Sequence, residues 1–560
     1  MINEKYTKKI TIFFITFVLL FTTLLYNLKA DNSSSVIAST NNSDYVSKVL
    51  KKDEVIEIDI IADEQKWKDM LENASKEEYI SADVVINGEK ISTVGIRPKG
   101  NSSLNMVASD ETTDRFSFKI DFDQYIDGQN LYGLKKLALN NMIGDASYMK
   151  EYLSYDLISE IGVNTPAYSF ANITLNGQPW GLYLAVEVLE EDFLSRYYGS
   201  DYGNLYKPES TMGGMEKPDG MQAPPNEQAI PDANSSATEK APFTKTPMTS
   251  KSSNGTNLVY NGDALENYSG IFDNVVTKST TEKDFNKVVD MIKALDKGED
   301  LEKYLNVDEI LRYFAANTFL VNLDHYAGTM KHNYYLYEND GIFEILPWDY
   351  NLSFGAFQHG SASEIINFPI DKPFTDSAEN TPLIAKLLEV DEYKEIYHKY
   401  LLEIVQNYIQ DGKFENKINS LDKLISEYVI NDKTAFFNYA QYKVAVENLK
   451  IYGNDRAKSI ILQLDGSQPS ETYGNLETKL DTKALGSMGG DKKGGDFKKG
   501  DKRPEAPPNM ENGNRNAPPD IKNIPSVEPK DLIIPAISIL SLIIATIIIY
   551  KFRRKKFNSN

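Results

Sequence analysis

The chain has no cysteine in 560 residues. That excludes disulfides, thiolate metal sites and thiol nucleophiles, so an exported protein of this sequence would rest on its packed core alone. Positive charge is in deficit. Lys and Arg total 60 against 81 Asp and Glu, a net charge of −21. Binding a phosphate backbone needs a concentrated basic face, so nucleic acid is excluded as a partner. An acidic surface is compatible with a divalent-metal site without establishing one. Aromatic residues, in contrast, are plentiful, with 34 Tyr and 25 Phe, and predict a large core. The length suits one large domain or two ordinary ones with tails.

Both ends carry apolar segments. Lys5, Lys8 and Lys9 precede an uncharged run at 11–26, which would span about 24 Å as a helix. A basic flank and a short apolar run read as a signal peptide over 1–30, with cleavage after Ala30 or Ala38, or else as an uncleaved anchor. Residues 532–550 are mostly Leu and Ile, carry no charge and would span about 28 Å. They have no polar face, so a transmembrane helix is expected rather than a core helix. Arg553, Arg554, Lys555 and Lys556 follow, which predicts a cytoplasmic tail at 551–560 and an extracytoplasmic domain.

Between these ends the composition changes twice. Residues 208–254 and 486–529 are rich in Gly, Pro, Asn and Ser or Lys and have no periodicity. They are expected to be a disordered insertion and a flexible stalk. The folded body is expected over 53–464. Its first part alternates as strands do at 55–61, 82–86, 92–96, 116–122, 170–175 and 181–188, with hairpin turns at Asn87-Gly88 and Asn176-Gly177. One helix is expected at 146–161. After the insertion, four-residue apolar spacing predicts mostly helices over 282–464.

Four segments place polar residues where a purely structural chain has no need of them. Arg97, Lys99, Asn101 and Ser102 follow a strand in a small, cationic turn that can cradle phosphate oxygens, although taken alone this composition reads more readily as a plain polar turn. Lys119 alternates with Phe116, Phe118 and Ile120, either as an exposed strand lysine or as one paired with the helix carboxylate Glu151. Asp324 follows an apolar helix expected at 310–323, and His332 and Asn333 open an aromatic strand. Asp349 sits after a strand inside an aromatic cluster, where a carboxylate has to be hydrogen-bonded, paired or metal-bound.

Together the stretches Arg97-Pro98-Lys99-Gly100-Asn101-Ser102-Ser103, Asn176-Gly177 through Gly181-Leu182-Tyr183 and Glu187, Gly203-Asn204-Leu205-Tyr206-Lys207, and His332-Asn333-Tyr334-Tyr335-Leu336-Tyr337 into Pro347-Trp348-Asp349 resemble the CotH (spore-coat protein H) kinase family. The resemblance implies an α+β, atypical protein-kinase-like domain with a strand-rich N-lobe and a helical C-lobe. It implies ATP and Mg²⁺ or Mn²⁺ as cofactors, and a Ser-rich coat or envelope protein as substrate. Asp324 would be the catalytic aspartate, and Asn333 and Asp349 the metal ligands. Arg97, Lys99, Asn101, Ser102, Lys119, Glu151 and Glu187 would bind nucleotide or phosphate. The His-Arg-Asp, Asp-Phe-Gly and three-glycine signatures of ordinary kinases are absent. A non-catalytic envelope scaffold and another phosphate transferase stand beside the kinase expectation.

Overall fold

The computed structural model describes residues 44–210, 254–357 and 360–487. The apolar segments at 11–26 and 532–550, the tail at 551–560, nearly all of the expected stalk and residues 211–253 of the expected insertion lie outside the described residues. Among the described residues no helix is long and apolar enough to cross a membrane. The chain divides into two units at Arg503/Pro504, and every described residue belongs to the first.

Seven strands close into a barrel: β1 (Val55–Ile61), β2 (Ile80–Ile86), β3 (Glu89–Lys99), β4 (Ser117–Asp121), β5 (Lys136–Asn140), β6 (Tyr168–Leu175) and β7 (Gln178–Glu187), in the order β1-β2-β3-β4-β5-β7-β6. Closure comes from a parallel pairing of β1 with β6, while the other neighbours are antiparallel. Two-residue alternation does most of the specifying. Ile56, Ile58 and Ile60 of β1 are buried while Glu57 is exposed. Asn87 and Gly88 have φ of 50° and 85°, and Asn176 and Gly177 have 51° and 75°. Tight hairpins need this left-handed pair, and Asn-Gly supplies it cheaply.

A second sheet of β8 (Asn204–Tyr206), β9 (Tyr334–Asn339) and β10 (Ile342–Pro347) is ordered β10-β9-β8. The helices of seven residues or more are α1 (Glu64–Glu72), α2 (Ser102–Ala108), α3 (Lys150–Glu160), α4 (Glu191–Tyr198), α5 (Glu282–Lys297), α6 (Val307–Leu320), α7 (Pro382–Leu388), α8 (Asp391–Ile404), α9 (Lys413–Asn431) and α10 (Tyr439–Leu464). One apolar core fills the barrel. The other joins α3, the outer barrel residues Phe170 and Leu184, the small sheet and the later helices. Helix α3 is therefore buried on nearly every side, and Tyr152 stacks on Phe170 with ring centroids 5.2 Å apart.

Two helices differ in extent from the sequence expectation. Helix α3 begins at Lys150 rather than 146, because the Asp145 carboxylate accepts from the backbone N–H groups of Ser147 and Lys150 and holds the preceding turn. Helix α6 begins earlier, where the Asn306 side chain accepts from the Glu309 N–H. It ends at Leu320 because Val321 turns left-handed, φ 44°.

The expected insertion is also narrower at its ends. The Glu209 N–H donates to the Gly270 carbonyl at 2.9 Å, and the Gly270 N–H donates to the Asn254 carbonyl at 2.9 Å. Chain departure and return are thus fixed on one residue. Replacing 211–253 with a short Gly-Ser bridge is expected to leave the melting temperature within about 2 °C of wild type, since loop closure varies only slowly with length. A larger fall in calorimetry would show that the segment packs on the body.

Candidate active site

The break after α6 delivers Asp324. Its backbone N–H donates to the Asn322 side chain at 3.1 Å. Its carboxylate meets His332 Nε2 at 2.7 Å through Oδ1, and accepts from Asn333 Nδ2 at 3.1 Å through Oδ2. Burial alone would lower His332, but the Asp324 carboxylate outweighs it and holds the imidazole above its usual range. Neighbouring His325 is different: burial pushes it down to about 3, so it is a neutral core histidine beside Tyr313.

The backbone here is under strain. Val321, Lys331, Asn333, Asp349 and Phe354, none of them glycine, have φ between 44° and 61°. Each costs about 1–2 kcal/mol, and such residues persist only where the surroundings over-determine them, often at functional sites.

Asp349 comes just after β10. Its N–H donates to the Tyr155 hydroxyl at 3.1 Å, which fixes the backbone against α3. Among the described residues no side chain donates a hydrogen bond to its carboxylate. Burial pushes that carboxyl up. Lys99, His332 and Lys207 oppose the shift, and Asp324 adds to it.

The cation facing Asp349 stands at the end of β3. Lys99 Nζ donates to Asn140 Oδ1 at 2.6 Å and lies 5.7 Å from the centre of the Trp348 ring. Asn140 Nδ2 donates to Glu151 Oε2 at 2.8 Å, and the Tyr155 hydroxyl donates to Glu151 Oε1 at 3.1 Å. One polar chain therefore runs from Lys99 through Asn140, Glu151 and Tyr155 to the Asp349 backbone. Burial, and then Asp349, pushes Glu151 up to about 7, whereas burial lowers Lys99. Lys207 adds a second cation, paired with Glu209 at 2.5 Å.

Of the residues read from the sequence, Asp324, Asn333, Asp349, Lys99 and Glu151 come together. The others do not join them. Arg97 is taken up by Glu77 and stacks over Tyr79. Asn101 and Ser102 are exposed at the start of α2, after Gly100, whose φ of 118° and close contact with Ser103 exclude a side chain. Lys119 pairs with Glu190 at 3.8 Å and not with Glu151, because it sits in the middle of β4, opposite Arg97 and two residues along the outer face from the Lys99 end, beside Lys136. Glu187 is buried against Arg196, the Tyr45 hydroxyl and the Ala167 N–H, an internal ion pair within the barrel wall. Sequence reasoning misses Asn140 and Tyr155. Asn140 carries one local signal, as the polar residue ending the apolar strand Leu137-Ala138-Leu139.

The donor set suits a hard divalent cation shared with phosphate. No group of three or more His, Asp or Glu among the described residues is arranged to hold a metal alone. Mg²⁺ does not need one, since it takes one or two carboxylates plus substrate phosphates and water. Asp349 offers an unpaired carboxylate. Asn333 spends its amide nitrogen on Asp324, and no hydrogen bond engages its amide oxygen among the described residues. A separate cleft of about 600 Å³, bordered by Asp53, Asp156, Glu160, Tyr408, Lys413 and Lys417, is lined by none of the site residues.

Comparison with known proteins agrees with this region of the chain. The family model described as CotH kinase protein matches residues 96–460. The inner spore coat protein H of Bacillus subtilis (strain 168) is 27% identical over 316 residues, which are 54% of this chain and 70% of that protein. An inner spore coat protein H-like protein of the same organism is 32% identical over 77 residues, 14% of this chain and 24% of that protein.

Proposed function

The chain belongs to the CotH kinase protein family, and on that premise we propose that it is an ATP-dependent protein kinase of the spore envelope. Its body would serve as a two-lobed kinase-like domain that phosphorylates serine or threonine hydroxyls of coat or envelope proteins outside the cytoplasmic membrane. The observation that carries the reading is the Asp349 carboxylate, half-buried beside Lys99 and Asp324 with no hydrogen-bond donor of its own among the described residues. An ionised carboxylate so placed is costly unless a cation completes it.

Asp349 and the Asn333 amide oxygen would hold Mg²⁺, which when bound neutralises charge on the nucleotide phosphates. Lys99, held by Asn140, would reach a phosphate oxygen. Asp324, oriented by His332 and Asn333, would accept the proton of the incoming hydroxyl. That oxygen bonds to the γ-phosphorus as the bond from phosphorus to the ADP oxygen breaks. Phosphoryl transfer asks mainly for such positioning and charge stabilisation.

A second reading is favoured by the relatives' names, which say coat protein: a non-catalytic envelope scaffold. Incubating the purified chain with ATP, Mg²⁺ or Mn²⁺ and a Ser-rich coat protein, followed by mass spectrometry, separates the two. Phosphoserine or phosphothreonine is the expected product. A nucleotidyl adduct would assign another transferase, and no nucleotide binding with either metal would leave the scaffold.

A further inference from the structure

Lys99 and Glu151 are not joined directly. No ion pair links them among the described residues; each instead bonds to one end of the Asn140 amide, at 2.6 and 2.8 Å. Three elements meet there, with Lys99 ending β3, Asn140 ending β5 and Glu151 opening α3. Asn140 itself is held firmly. It is buried, its backbone pairs with Leu184 of β7, and the next residue is locked by Asn141 Nδ2 donating to the Arg115 carbonyl at 2.6 Å and by its N–H donating to Ser117 Oγ at 3.1 Å.

We propose that Asn140 is a positioning residue of the phosphoryl-transfer site, an amide spacer that orients Lys99 and couples it to Glu151 and α3 without neutralising it. This rests on the kinase reading above. An amide gives an acceptor to an ammonium and a donor to a carboxylate on one rigid fork. A direct ion pair would spend the Lys99 charge on Glu151. The spacer leaves two ammonium N–H groups and most of the positive field for nucleotide phosphate. It also links the nucleotide end of the barrel to α3, whose Tyr155 receives the Asp349 N–H.

The test exploits the polarity of the fork. Asn140→Ala, Asn140→Asp, Glu151→Gln and the exchange Asn140→Asp/Glu151→Gln are compared in the full chain for kcat, KM for ATP and melting temperature. Asn140→Ala is expected to lower kcat/KM at least about tenfold, mostly through KM, as a misplaced binding group does. Asn140→Asp is expected to fall further, because two carboxylates then face each other. The exchange keeps the net charge and remakes both hydrogen bonds but sets a carboxylate directly on Lys99, so it is expected to recover the melting temperature while KM for ATP stays raised.

An active wild type with Asn140→Ala at wild-type KM overturns this proposal alone. So does an exchange that restores KM along with the melting temperature, since Lys99 would then serve equally well when paired directly with a carboxylate. A wild type that neither binds nor turns over ATP overturns this proposal and the kinase reading together.

Discussion

Asp349→Asn abolishes metal-dependent nucleotide binding, while Asp324→Asn leaves binding within a few-fold and lowers turnover about a thousandfold: this is the expected result of paired calorimetric titrations with a non-hydrolysable ATP analogue and phosphotransfer assays. The two carboxylates differ in their surroundings, and the difference sets the outcome. Asp324 is already satisfied by His332 and Asn333, so its loss removes a group needed mainly as the hydroxyl proton leaves. Asp349 has no donor among the described residues and is held up by burial and by Asp324, so its role lies in what it receives from outside. Stability should separate them as well. Neutralising a half-buried carboxylate that no donor satisfies among the described residues relieves desolvation and repulsion, so Asp349→Asn is expected to melt at or above the wild-type temperature. Asn also tolerates the φ of 59° at this position. Removing the Asp324 charge instead strands the ends of His332 and Asn333 and is expected to lower the melting temperature. Full activity in both variants would place the transfer site elsewhere.

The legible parts of this fold are those written in local pattern. Barrel strands follow from alternation, and both Asn-Gly turns follow from the need for two left-handed residues. Asp324, Asn333 and Asp349 stand out because each sits at the edge of an apolar or aromatic run, Asp324 after a helix, Asn333 before a strand and Asp349 after one. Pairings across the barrel are a different matter. Which carboxylate meets Lys99 or Lys119 depends on how far along the outer barrel face each residue lies, and that is set by register and barrel closure rather than by spacing. Proximity in sequence pairs Lys119 with Glu151, yet Glu190 takes the first and Asn140 the second. Glu187 shows the same limit. A carboxylate in a strand reads as a ligand until the fold brings Arg196 onto it. Helix ends shift by a few residues from their apolar pattern, because Asp145 and Asn306 cap through side-chain contacts that periodicity does not encode.

The contact between Arg115 and Asp432 has no sequence signal at all, and breaking it should produce the largest loss of stability. Arg115 leads into β4 and Asp432 ends α9; both side chains are fully buried, 2.8 Å apart. Asp432 also accepts from the Leu182 N–H of β7 at 3.0 Å and from Thr434, while Arg115 donates to Thr434 Oγ1, to the Asn141 carbonyl and to the Leu182 carbonyl. Barrel and helical region are thus pinned by one charge pair. A Cβ added at Gly181 would sit 2.5 Å from Arg115 Nη1, so the close approach also requires that glycine. Asp432→Ala leaves the guanidinium buried without a counter-charge and is expected to cost about 3–5 kcal/mol, read as an earlier denaturant midpoint. Removing both charges, as in Arg115→Met/Asp432→Leu, should recover much of that loss, because most of the penalty belongs to the stranded charge and not to the missing attraction. If Asp432→Ala unfolds at the wild-type midpoint, this charge pair does not hold barrel and helices together.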